Sequence, residues 1–545
     1  MAPSSTLGDC RLRAAFLCAA LLVSIGPACS PRPDLSAPPN ILLVSIDTLR
    51  ADHLPIYGYE RPTAPRLSRL AETGVVFENA TAASSWTLPS HLSMLTGLSV
   101  SAHGICDDRL WTRQDSEGQP IPAPLRGTFV SERLRDAGYR CAGFYSWKYL
   151  DDQFGFGPGF ETWERLGHTF YSHPVVAPEF ERLRKAGDQD GMRALAKRYP
   201  ELFDDSAPSS PEVIERTLDW LRQHETGASD VPFFLFVHLF DVHDPYVPPE
   251  PFRDLFDPEY DGPITGRRIT APDSPMRGDM DARDLEHLIA LYDGEIAWVD
   301  SEIGRLLDGL EQLDLDRSTL TVITSDHGEE FFEHGHKTHR RQVHRESVHV
   351  PMILNWPGVL PRSVRVPHPV GLIDIAPTLC SAAGLDSTTG MEGTDLLRLA
   401  MGEQPDGDLT RVSELLVFDP RTGPAPEQHL GLAFGSEYAL RVIEPDGQVQ
   451  WTAFDLAQEP LGRGPGRQLD AEGPEVRGLE QRVERLRKHL THLRVGLAER
   501  GEELPPLTED DLRQLAAMGY AGQDEAQTGA SQGTHLCIDG CVWRY

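Results

Sequence analysis

Four short segments carry residue types able to do chemistry together. Ser45-Ile46-Asp47-Thr48-Leu49-Arg50-Ala51-Asp52 sets a carboxylate directly after an apolar run. There Asp47 is either a metal ligand or the N-cap of a helix starting just after it. Ser85-Trp86-Thr87-Leu88-Pro89-Ser90-His91 sets hydroxyls at a loop-to-helix junction. Such a junction receives an anion at the helix N-terminus, or its hydroxyls simply cap the helix. His238-Leu239-Phe240-Asp241-Val242-His243-Asp244-Pro245-Tyr246 sends two histidines and two aspartates out of a buried run, the equipment of a site. Thr324-Ser325-Asp326-His327-Gly328-Glu329-Glu330 offers an adjacent carboxylate and imidazole to one divalent ion. The histidine-rich stretch from His334 through His336, Lys337 and His339 comes next, as a polar pocket wall or a solvated loop.

These residues meet only if the fold brings them to one edge. Residues 40–46, 232–239 (PFFLFVHL) and 320–324 (LTVIT) are continuous apolar runs, the pattern of buried parallel strands. A helical stretch at 64–73 precedes a short strand at 75–77, and amphipathic helices at 211–224 and 290–310 precede the other strands. Strands alternating with helices predict an α/β fold, a mostly parallel sheet flanked by helices on both faces. Asp47, the 238–243 segment and Asp326 then fall at or beyond C-terminal strand ends, where open α/β sheets bind ligands. After about residue 396 the pattern changes to short antiparallel strands at 431–433, 438–443 and 449–454, with a turn at Pro445-Asp446-Gly447. A helix at 475–499 carries Leu479, Val483, Leu486, Leu490 and Leu493 as a packing stripe. The expected division is a catalytic domain over 40–395, a smaller antiparallel sheet-plus-helix subdomain over 396–500, and a tail over 501–545, disordered at 522–533.

With 51 Lys+Arg against 83 Asp+Glu, the formal net charge is −32, which repels polyanions and excludes nucleic acid as a partner. Arg11 and Arg13 precede the apolar run 14–25, followed by small residues and Cys29: an export signal over 1–29, too short to remain as a membrane span. Gly26-Pro27-Ala28-Cys29 resembles a bacterial lipoprotein cleavage box lacking its usual Leu. The export reading therefore has two outcomes: a periplasmic or extracellular protein, or one anchored to a membrane by lipid on Cys29 through a Pro-rich tether at 30–39. Of eight cysteines, Cys106, Cys141, Cys380, Cys537 and Cys541 lie beyond that segment without metal-knuckle spacing, and Cys537 with Cys541 is a local disulfide candidate.

Taken in order, strand-Asp, Thr-x-Pro-Ser-His, His-x-x-x-x-His-Asp-Pro-Tyr and Ser-Asp-His-Gly-Glu resemble the sulfatase-like hydrolases of the alkaline phosphatase superfamily. Tyr292 to Leu307 is similar to their helix before the last motif, and Phe454-Asp455-Leu456 to Pro460 to their C-terminal strand, so the resemblance runs from about 40 to about 500. It implies an alkaline-phosphatase-like fold and an ester hydrolase or transferase with an anionic ester as substrate. Asp47, Thr87, Asp326 and His327 would bind a divalent cation, and Thr87 would be the nucleophile. His243 would protonate the leaving group, and His339, or Lys337 in its place, would bind the anion. Ser90, His91 and His238 are the candidate substrate-binding residues beside them.

The sequence departs from the sulfatase signature Cys/Ser-x-Pro-Ser-Arg at two positions, Thr87 and His91. Sulfatases oxidise the first residue to formylglycine, but threonine's extra methyl allows only a ketone, so no formylglycine is expected. A hydroxyl attacking directly suits phosphate-type esters, as in related phosphotransferases, phosphodiesterases and phosphonate hydrolases. A single Asp in the first motif and an imidazole at His327 tilt the metal toward Mn²⁺ or Zn²⁺, with Ca²⁺ admissible, and leave open a second ion on His334, His336 or His339. Two other readings stand: sulfuric ester hydrolysis with an unconventional Thr, and a non-catalytic exported binding protein on the same scaffold. The complete set of Asp47, Thr87, His243, Asp326 and His327 argues against the last.

Overall fold

The structure, a computed structural model, describes residues 38–106, 125–167 and 209–496 with short interruptions, parts of 175–199, and residues 534–536 and 542–544. The export segment, Cys29, nearly all of the tether, the Cys537–Cys541 pair and the 522–533 stretch lie outside the described residues.

The larger sheet contains β1 (Asn40–Ile46), β2 (Val75–Thr81), β3 (Arg140–Tyr145), β4 (Thr162–Arg165), β5 (Phe233–Leu239) and β6 (Thr319–Ser325). A two-stranded ribbon of β7 (Glu330–Phe331) and β8 (Lys337–Thr338) comes next, and β9 (His349–Val350), β10 (Met352–Asn355) and β11 (Val364–Gly371) return to the sheet. Its order is β11-β2-β10-β6-β1-β5-β3-β4, with β9 paired to β2. The pairings from β6 through β1, β5 and β3 to β4 are all parallel, whereas β9 and β10 run antiparallel to their neighbours.

Burial on both faces explains why β1, β5 and β6 read as unbroken apolar runs. Along β1, Ile41 and Leu43 pack into one core, while Leu42, Val44 and Ile46 pack into another. The first core holds Leu88, Leu92 and Leu95 of the helix Thr87–Thr96. The second holds Leu288, Leu291, Val299 and Ile303 of the helix Ala282–Gln312, with Val213 and Leu221 of the helix Ser210–Ala228. The long helix begins eight residues before the expected 290, where the Asp281 carboxylate caps it by accepting from Arg283 N at 2.8 Å. Strand β2 extends four residues past the expected 77, because the polar Glu78 and Asn79 interrupt its pattern without ending its pairing.

A second, antiparallel sheet comprises β12 (Thr410–Val417), β13 (Glu427–Phe434), β14 (Glu437–Ile443), β15 (Val449–Asp455) and β16 (Arg467–Gln468). Val476, Leu479 and Val483 of the helix Pro474–Gly496 pack onto Leu430, Leu432 and Trp451, with Leu486 partly buried beside them, so the described part of that stripe is a packing surface. Cys141 and Cys380 are buried thiols outside any disulfide. No helix among the described residues is long and apolar enough to cross a membrane.

Candidate active site

Strand register brings the first and last motifs together. Ile46 lies opposite Ser325 on β6 and opposite Leu239 on β5, so the residues leaving all three strands start from one sheet edge. Asp47 N–H donates to the Leu239 carbonyl at 2.8 Å. Asp47, Asp326 and His327 hold ligand atoms within 4.8 Å of one another, and all three side chains are fully buried. His327 Nε2 lies 3.6 Å from Asp47 Oδ1, 3.4 Å from Asp326 Oδ2 and 3.5 Å from Thr87 Oγ1. A carbonyl can only accept, so the 2.9 Å contact of His327 Nδ1 with Gly328 O places the ring proton on Nδ1. Nε2 is left with its lone pair turned toward the carboxylates, the tautomer of a metal-ligating histidine.

Both Asp47 carboxylate oxygens and Asp326 Oδ2 have no hydrogen-bond partner among the described residues. Burial, then the neighbouring Asp326 charge, push Asp47 well above the usual carboxylate range, and burial raises Asp326 as well. Two adjacent buried carboxylates, an imidazole lone pair and a hydroxyl are only partly offset by the charge of His243. This donor set fits a divalent cation. The opposite Asp326 oxygen, Oδ1, is held by His327 N–H at 2.9 Å and Thr48 N–H at 3.3 Å. Thr48 has φ +54°, and the long helix supports it there: Tyr292 Oη donates to its carbonyl at 2.7 Å.

Thr87 opens its helix with Trp86 as N-cap, which puts its hydroxyl at the positive end of the helix dipole. The preceding loop is clamped by β12. Glu414 N–H donates to Ala83 O at 2.8 Å, and Ser84 Oγ donates to Glu414 O at 2.7 Å. No sequence signal marked β12, whose buried Arg411 and Glu414 break its apolar pattern. Arg411 is neutralised by Asp374 at 2.7 Å, and Glu414 accepts Ser101 N–H at 2.8 Å.

His243 and His339 face the same centre. The His243 ring stacks on Phe240 at 4.4 Å, and its Nδ1–H donates to the Asp244 carbonyl at 2.8 Å. Burial lowers its pKa, but Asp244, Asp47 and Glu329 together outweigh burial and raise it. The His339 ring lies 4.6 Å from that of His327 and 4.9 Å from that of His243. His339 Nδ1 shares a hydrogen bond with Glu329 Oε1 at 3.0 Å, and Tyr246 Oη donates to Glu329 Oε2 at 2.9 Å. Glu329, pushed up to about 7 chiefly by burial, is thus a positioning residue that sequence reading quoted within its motif but gave no role.

The remaining candidates sit differently from expectation. Ser90 and His91 are fully buried within the Thr87–Thr96 helix, where sequence reading had them contacting substrate. Ser90 Oγ donates to Ser84 O at 2.8 Å and accepts Ser84 N–H at 3.1 Å, closing the loop. His91 Nδ1–H donates to the Thr87 carbonyl at 2.9 Å, and Nε2 accepts from Ser45 Oγ at 2.9 Å. Both nitrogens are engaged and the ring is fully buried, which ties His91 to Thr87, and with His238 and Asp326 it forms a second group whose ligand atoms lie within 4.8 Å of one another. His238 is buried beside the carboxylates, its Nε2 3.3 Å from Asp47 Oδ2, so it borders the cation side of the centre. Lys337 Nζ donates to the carbonyls of Ile269 and Met276 at 2.8 and 2.9 Å, on the wall of an adjoining cavity.

Residues 39–385 match the family model described as Sulfatase, and residues 332–460 match that described as N-sulphoglucosamine sulphohydrolase, C-terminal. The chain belongs to the sulfatase family. It is 26% identical over 373 residues to an ulvan-active sulfatase of Formosa agariphila, covering 68% of this chain and 66% of that protein. To an arylsulfatase of Clostridium perfringens it is 25% identical over 381 residues, covering 66% and 77%. The aligned stretch thus spans about two thirds to three quarters of these relatives. The crystal structure of a phosphonate monoester hydrolase of Agrobacterium radiobacter has the same fold, with TM-score 0.60 at 22% identity over 84% of this chain and 96% of that one. The family and its relatives put this sulfatase-family chain among hydrolases acting on ester bonds.

Proposed function

We propose that this sulfatase-family protein cleaves phosphate-type esters by direct attack of Thr87, with a divalent cation held by Asp47, Thr87, Asp326 and His327. The observation that carries the reading is the surroundings of the Thr87 hydroxyl. It stands at a helix N-terminus, 3.5 Å from the lone-pair nitrogen of His327, next to carboxylates that lack partners. A bound divalent ion would neutralise the non-bridging oxygens of the ester and lower the pKa of the Thr87 hydroxyl. The two-carboxylate, imidazole and hydroxyl set favours Mn²⁺ or Zn²⁺ over Ca²⁺.

In this reading Thr87 Oγ1 loses its proton to solvent and bonds to phosphorus in line with the leaving oxygen, as the bond to that oxygen breaks. His243, protonated on Nε2, gives that proton to the departing alcohol. His339, whose Nδ1 accepts from protonated Glu329, carries its proton on Nε2 and donates it to a non-bridging oxygen as charge builds there. Water, deprotonated by the now neutral His243, then releases phosphate from Thr87; an alcohol in its place would make the reaction a transfer. The catalytic machinery lies within 40–395 and the 396–500 segment buttresses it through β12. The export signal at 1–29 delivers the protein, with or without lipid on Cys29, and fractionation of wild type against Cys29→Ala tests the anchor.

Sulfate-ester cleavage is the second reading, favoured by the names of the ulvan-active sulfatase and the arylsulfatase. Purified protein, stripped and reloaded with Mn²⁺, Zn²⁺ or Ca²⁺, should be assayed on aryl phosphodiesters, aryl phosphates and aryl sulfates. Phosphate esters should be cleaved faster, and a phosphoryl mass should be trapped on Thr87. Faster cleavage of aryl sulfates would overturn the phosphate reading in favour of the second.

A further inference from the structure

Beside the reaction centre lies a cavity of about 410 Å³, within the size range of small-molecule sites. His339 and Asp244 form part of its wall, so the cavity adjoins the reaction centre at His339. The sign of its lining runs against the rest of the chain. In a protein of net charge −32, the described lining residues include Arg277, Lys337, Arg340 and Arg341 against the single carboxylate of Asp244. A cluster of one sign in a concave wall focuses the field on whatever enters. The ester undergoing reaction does not account for these charges, because His243, His339 and the cation site already face it.

Arg340 and Lys337 are held in place. Arg340 N–H donates to Ser85 O at 3.0 Å, and its guanidinium lies 4.1 Å from the Trp86 ring centroid, so it is fixed to the residues just before Thr87. Lys337 spends two of its three ammonium donors on Ile269 and Met276 carbonyls and keeps one for a ligand. Arg277 pairs with Asp279 at 3.3 Å on an exposed rim, a contact weak enough for an incoming anion to displace. Phe332 and Met276 add apolar wall for a ring. Guanidinium groups match carboxylate, sulfate and phosphate oxygens in the same forked geometry.

We propose that this cavity is a second anion subsite, selecting esters whose sugar- or aryl-sized leaving half carries a further carboxylate, sulfate or phosphate. The inference rests on the ester-hydrolase reading of the adjoining centre. Two substrate pairs test it: methyl aryl phosphodiesters and aryl sulfates, each with a 4-carboxyphenyl or a 4-carbamoylphenyl leaving group. Wild type should favour the carboxylate member by at least ~10-fold in kcat/KM, mostly through KM, and added salt should shrink the ratio. In the Arg277→Ala/Arg341→Ala double variant the ratio should fall to that set by leaving-group chemistry alone. Calorimetry with 4-carboxyphenylphosphonate and 4-carbamoylphenylphosphonate reads the same preference without any ester to cleave. Tighter binding of the carboxylated phosphonate without turnover of any ester would overturn the reaction reading and keep the subsite. Turnover with equal affinity for the two phosphonates, or a ratio untouched by the double variant, would overturn the subsite.

Discussion

Asp47→Asn should stabilise the metal-free protein and lose most of that gain when metal is bound. In the chelated protein Asp47 and Asp326 are buried neighbours whose ligand atoms lie within 4.8 Å of each other. Two unit charges at that separation repel by about 3.5 kcal/mol at an effective dielectric of ~20. Removing one charge should return much of this to the folded state. For a chain of this size, at about 2 cal/mol/K of unfolding entropy per residue, that is a Tm rise of roughly 3 °C. With saturating Mn²⁺ or Zn²⁺ most of that rise should disappear. A lost ligand weakens metal affinity by at least ~100-fold, about 2.7 kcal/mol of linked stability. The pH dependence obeys the same logic. Asp47 has a folded pKa above its unfolded value, so in chelated wild type its contribution is fully present below about 3.8 and is lost as pH rises through the raised folded value. With metal bound, stability should instead fall as pH drops, because protons compete for the ligands. Calorimetric melts of wild type and Asp47→Asn, chelated and loaded, at several pH values read all of this. A substitution that lowers Tm equally in both forms would refute the shared cation site.

Further outcomes rest on the same geometry. Thr87→Ala should lose at least ~10³-fold in kcat while Thr87→Ser keeps part of it, and neither should depend on co-expressed formylglycine-generating enzyme; full activity in Thr87→Ala would remove Thr87 as nucleophile. His91→Ala should lower kcat with little change in KM, since His91 fixes the Thr87 carbonyl from below; a pure KM effect would return it to substrate binding. His334 is half buried, and although burial opposes it, its 2.6 Å bond to Glu346 raises its pKa above 6.5. The stability from that pair should be fully present below about 6.5 and lost as pH rises through the raised value, so the Tm–pH profile of His334→Asn should be flatter there.

The parts of this molecule that were legible in its sequence are those where burial leaves one simple pattern. β1, β5 and β6 are buried on both faces and so appear as plain apolar runs, and the residues with chemistry to offer stand at or just past their C-terminal ends. β11 hid behind two prolines in VRVPHPVG, and β12 behind an arginine, a serine and a glutamate, each made tolerable by partners distant in sequence. The site divides the same way. A carboxylate after a buried strand must emerge at the sheet edge, whatever surrounds it, so Asp47 and Asp326 were placed by pattern alone. Whether Ser90 and His91 look up at a ligand or down into the helix depends on rotamers and on Ser45 and Ser84, which no local pattern encodes. The spacing of four between Thr87 and His91 was the available clue, since i and i+4 share a helix face.

The two departures from the sulfatase signature also explain each other. Where that signature has an arginine, this chain has His91, whose Nδ1 lies 3.6 Å from Asp326 Oδ2. An arginine would hold a permanent positive charge beside that carboxylate. His91 does not: although Asp326 pulls its pKa upward, burial dominates and pushes it down to about 3, so the ring is neutral at physiological pH. Beneath Thr87 the protein therefore supplies hydrogen bonds in place of charge. Balancing Asp47 and Asp326 falls to whatever cation the donor set captures, and the same cation would activate a threonine that cannot be converted to an aldehyde. Restoring the charge with His91→Arg should then weaken metal affinity through repulsion while stabilising the chelated form, a pairing of effects that a simple packing defect would not produce.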